Sequence, residues 1–74
     1  MATILTDNEK ASIINNHLSN LYFSQYNIEL SLKEENAKAA PDQKNVVNIN
    51  NQLDDIAKQI DVLNAEIATL TITN

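Results

Sequence analysis

From Val46 onward, aliphatic residues recur at alternating spacings of three and four: Val46, Ile49, Leu53, Ile56, Ile60, Leu63, Ile67 and Leu70. They fill every core position of about three and a half heptads, the signature of a helix that buries one stripe against another helix. A half-buried strand would need apolar residues at every second position. The flanking positions are mostly Asn, Gln, Ala and Thr rather than the opposite charges that specify a simple two-stranded pairing.

The first half carries a matching stripe. Ala11, Ile14, Leu18, Leu21, Gln25, Ile28 and Leu32 follow the same alternation, which then fades through Glu35 to Ala39. Its start is marked by Thr6-Asp7-Asn8-Glu9, where the Thr6 hydroxyl can accept from the Glu9 amide while the Glu9 carboxylate reaches back, a capping box. Only Gln25 and Glu35 interrupt the stripe chemically.

The two stripes are in register with each other. If the chain reverses over residues 36–41, core partners must have numbers with a constant total. Leu32 with Val46, Ile28 with Ile49, Gln25 with Leu53, Leu21 with Ile56, Leu18 with Ile60, Ile14 with Leu63 and Ala11 with Ile67 all total 77 or 78. Pro41, the only Pro of the chain, divides the two halves. An interior Pro costs a helix about 3 kcal/mol, which disfavours one continuous helix, whereas Pro in a first turn loses no hydrogen bond. With no Gly anywhere, tight turns that need left-handed backbone are disfavoured and helix is the default. The sequence therefore predicts an all-α, antiparallel two-helix hairpin of coiled-coil type. It forms a single domain over 1–74, with helix 1 at about 7–36, a turn at 36–41 and helix 2 at about 41–70. At ~1.5 Å per residue the helices would be roughly 45 and 40 Å long.

Both ends leave this pattern. Residues 1–6 form an expected extended arm and 69–74 an expected extended tail. Thr3-Ile4-Leu5-Thr6 and Thr69-Leu70-Thr71-Ile72-Thr73 are rich in β-branched residues. They read as frayed helix ends, or as short β-like segments that pair with each other or with a partner's sheet edge.

Composition removes most chemistry. There is no Cys, and His17 is the only imidazole, so neither thiolate nor His-rich metal sites can be built. His17 reads as a partly exposed residue beside the helix 1 stripe. No cofactor, metal or small-molecule substrate is expected, and no catalytic residue. The pairs Glu34-Glu35 and Asp54-Asp55 diverge by ~100° on a helix and read as surface, with Glu34 to Lys38 and Asp54 to Lys58 spaced for ion pairs. A formal net charge of -5 with no Arg disfavours nucleic acid. No apolar run approaches the ~20 residues of a membrane span, and the opening MATILTDNEK lacks the order of a signal peptide.

What remains is interaction. A chain of 74 residues buries too little surface to be comfortably stable alone, and two apolar rows are left over once the seam is closed. Phe23, Tyr26 and Leu30 lie nearly opposite the helix 1 stripe, while Val62, Ala65 and Ile72 form a second row on helix 2 beside Thr69. They are the expected partner interface. Gln25 in the seam and Ile at both kinds of heptad position on helix 2 suit a multi-helix bundle, and a trimer of hairpins is the expected oligomer. The small size, acidity, abundant Asn and lack of chemistry are similar in type to minor bacteriophage virion proteins: neck, tail, baseplate or capsid-decorating subunits. Such a protein would sit in the virion, or in the host cytoplasm during assembly, contacting itself or other subunits. Two other classes share the architecture: soluble regulatory or chaperone-like modules, and secreted needle-like or WXG-type hairpins, although the WXG turn needs a Trp and a Gly that this chain lacks.

Overall fold

The computed structural model describes residues 4–71. Two helices pack against each other as a hairpin: α1 spans Asp7–Asn36 and α2 spans Gln43–Ala68. The all-α fold class is thus the one expected from the paired stripes.

Thr6 is the N-cap of α1 and the capping box is complete. The Glu9 amide donates to Thr6 Oγ1 at 3.1 Å and the Thr6 amide donates to Glu9 Oε1 at 3.0 Å, satisfying two amides that a helix start leaves unpaired. α1 ends at Ala37, whose amide donates to the Lys33 carbonyl at 3.0 Å. The reversal over 37–42 uses no left-handed residue, since no positive φ occurs among the described residues.

α2 begins later than expected. Pro41, expected in the first helical turn, instead precedes the N-cap, which is Asp42. The cause lies in the Asp42 side chain, which accepts from the Lys44 amide at 2.9 Å and so places Asp42 in extended backbone outside the helix. The helix also ends two residues early, with Thr69 as C-cap. The Thr69 hydroxyl donates to the Glu66 carbonyl at 2.6 Å, taking up one of the carbonyls that a helix end leaves free. Residues 4–6 and 69–71 form no strand. The rest of the expected β-like ends, 1–3 and 72–74, lies outside the described residues.

The core sits toward the open end. Ala11, Ile14, Leu18 and Ile60 are buried, and Leu21, Ile56, Leu63, Ile67 and Leu70 pack around Ile14, Leu18 and Ile60. Farther toward the turn, Gln25, Ile28, Leu32, Val46, Ile49 and Leu53 are half-buried. No large side chain among the described residues is fully sealed from solvent.

The hairpin is tied at both ends by polar bonds. At the open end, the Thr71 amide donates to Asp7 Oδ2 at 2.8 Å. At the turn, Glu35 is 5% exposed and occupies the next stripe position after Leu32. Its carboxylate accepts from the Asp42 amide at 3.2 Å, from Asn45 Nδ2 at 3.0 Å and from Lys38 Nζ at 3.2 Å. This corrects the reading of Glu34-Glu35 as solvated surface. Lys38 pairs with Glu35, three residues away, and not with Glu34. Among the described residues no ion pair joins Asp54 to Lys58 either, so the expected α2 pair does not form. Two exposed long side chains gain little from pairing in water, whereas the Glu35 carboxylate, once buried, requires donors.

Candidate functional site

The outer faces separate into two surfaces. On α1, Phe23 is 74% exposed, Tyr26 60% and Leu30 38%. Their spacing of four, three and four from Ser19 repeats the heptad rhythm of the seam on the far side of the same helix. Tyr22, half in water, flanks this row. α1 therefore carries apolar residues on two sides, one turned to α2 and one to solvent.

Val62 belongs to the other surface. It is 66% exposed and lines a groove of about 480 Å³ together with His17, Asn20, Leu21 and Ser24 of α1 and Lys58, Gln59 and Leu63 of α2. Phe23, Tyr26 and Leu30 do not line this groove. Ala65 is exposed on α2, and Ile72 lies outside the described residues. The sequence-predicted interface residues are thus not one patch: the α1 row stands apart, and Val62 joins the side on which His17 and Lys58 sit.

Three further exposed apolar residues did not figure among the candidates: Ile4, Ile13 and Val47. Ile13 and Val47 each follow or precede a seam residue by one position, so a periodicity search that assigns each apolar residue to the nearest stripe absorbs them. Glu35 reads as surface from the sequence, yet it is buried. The signal that could have found it is its position, three residues beyond Leu32 on the stripe and just before the turn.

The electrostatics are local. Hydrogen bonds from the Asn45 side chain and the Asp42 amide, helped by Lys38, hold the Glu35 carboxyl below its ordinary value against the opposing effect of burial. Hydrogen bonding to Thr6 lowers Glu9 in the same direction. Both shifts come from donors that complete helix ends or the turn, so they describe architecture. Among the described residues no three His, Asp or Glu side chains converge on a site that could hold a metal ion, and no helix is long and apolar enough to cross a membrane. What the arrangement offers chemically is contact: aromatic rings presented to solvent on a helix whose opposite side is already engaged.

No protein-family model, curated protein or solved structure matches the chain.

Proposed function

We propose that this protein is a non-enzymatic assembly subunit that joins copies of itself, and through them a larger complex, by its outer helical faces. A minor structural component of a bacteriophage particle is the class that its size, acidity and composition suit. The observation that carries the reading is the row Phe23, Tyr26 and Leu30, left in water on a hairpin in which four hydrophobic residues are buried among those described. Large aromatic side chains held on a rigid helix are the residue types that dominate binding energy at protein interfaces. Covering them supplies the apolar burial that a two-helix unit lacks.

Sedimentation of the isolated chain across a dilution series tests this. An oligomer is expected, and replacing Phe23 and Tyr26 together by Asp should shift it toward monomer while circular dichroism still reports helix. A folded monomer that resists every concentration would defeat self-assembly.

A further inference from the structure

The reading above leaves open how one copy meets another, and the α1 row carries an answer. We propose that a second copy of this chain docks on the outer face of α1 in antiparallel orientation, about a two-fold axis that passes between Phe23 and Tyr26. The proposal rests on the self-assembly reading and adds a geometry to it.

In the outer heptad, Ser19, Phe23, Tyr26, Leu30 and Lys33 take the core positions, with Tyr22 and Glu29 along one flank and Glu34 on the other. In a parallel pair each flank residue faces the residue five positions on in the other chain, which sets Glu29 against Glu34 of the second copy. Both are exposed carboxylates, and like charges at this position oppose pairing.

The antiparallel pair removes this conflict. Phe23 then meets Tyr26 of the second copy, and by symmetry Tyr26 meets its Phe23, giving one cluster of four rings. Leu30 lies over Ser19 of the second copy, a large side chain against a small one. On the flank, Glu29 faces Tyr22 of the second copy, a carboxylate acceptor opposite a hydroxyl donor. Tyr22 and Ser19 are both exposed in the single hairpin and so free to make these contacts. The interface is isologous, the kind that closes on itself at two copies, and α2 stays on the outside of the pair.

The chain has no Cys, so introduced thiols report on this contact alone. Ser19→Cys and Leu30→Cys chains, oxidised separately and then as a mixture, distinguish the arrangements, with sedimentation of the unmodified chain alongside. The expected result is a two-chain particle, and a covalent dimer in the mixture that is absent from either variant alone. Tyr22→Cys mixed with Glu29→Cys should behave in the same way and keeps the test valid if one variant folds poorly. Cross-linking of Ser19→Cys chains by themselves would show parallel contact and overturn the geometry while leaving self-assembly intact. A three-chain particle, or an oligomer in which neither mixture cross-links, would do the same. A dilution-resistant monomer would remove both the geometry and the self-assembly on which it rests.

Discussion

The two halves of this hairpin bury different chemistry. Toward the termini, Ala11, Ile14, Leu18 and Ile60 are buried in aliphatic contact. Toward the turn, the buried side chain is a carboxylate, Glu35, and the aliphatic residues Ile28, Leu32, Val46 and Ile49 are only half-covered. Apolar contact is non-directional and tolerates sliding, whereas the three donors around Glu35 accept only one arrangement of the chain. The terminal half therefore supplies most of the burial, and the turn half supplies the register. The outer row from Phe23 to Leu30 also lies on the turn half of α1, so the region with the thinner core is the one that presents rings to solvent.

The comparison can be broken by mutation. Leu18→Ala, in the buried cluster, should cost the most, ~2–5 kcal/mol as for other large-to-small core changes, read from denaturant unfolding at fixed protein concentration. Leu32→Ala, at the half-covered end, should cost clearly less. Equal losses would mean that the core extends evenly to the turn. Glu35→Ala is expected to come next. It should accelerate amide hydrogen exchange at Asp42 and the first turn of α2 more than at Leu18 or Ile60, because it leaves the Asp42 amide and the Asn45 side chain without their acceptor. Exchange that rises uniformly along both helices would assign Glu35 to the general core. Asp42→Ala, which removes the cap on the Lys44 amide, should cost about 1 kcal/mol and shorten α2 at its start without altering the Leu18 and Ile60 cluster.

Acid sharpens the same contrast with the smallest effect. The Glu35 carboxyl titrates below its ordinary value of 4.5 in the folded chain. Its contribution is complete above that value and is lost as the pH falls through the lowered one, when protonation removes the acceptor charge. Glu9 follows the same sign at the start of α1. Thermal unfolding from about pH 7 down to about pH 3 should show a steeper loss for the unmodified chain than for Glu35→Gln, which retains an acceptor oxygen but has no proton to gain. Parallel curves would show that the turn does not depend on the ionised form.

Those parts of the fold that depend on spacing are legible in the sequence. The α2 stripe declares a helix with one buried side, its constant-total pairing with α1 declares the reversal, and Thr6 with Glu9 declares where α1 starts. Each signal involves residues whose relation is set by helical geometry alone. What escaped is decided by competition between neighbours. Glu34 and Glu35 look equivalent as letters, and only the folded turn shows that the second one meets the Asp42 amide, so Lys38 follows it. Pro41 suits a first helical turn, yet Asp42 caps more effectively and moves the boundary. On the candidate surface, periodicity alone separates Phe23, Tyr26 and Leu30 from the seam. The grouping of Val62 with His17 and Lys58 required knowing which flank of α2 faces which flank of α1, a fact that depends on how two helices roll against each other.

The bond between Asp7 and Thr71 fixes how this molecule would bear a load. Tension applied through those two residues acts across the helices rather than along them, so it opens the hairpin as a zipper: that bond parts first, then the layers toward Ile14 and Leu63, one at a time. Because only one layer carries the force at any moment, resistance is low. Tension applied between the turn of one chain and the turn of the proposed antiparallel neighbour would run along α1 instead and strain every contact of the outer row together. A structure that must withstand pulling would gain from being held by that row, while one that must come apart on cue would be gripped at Asp7 and Thr71.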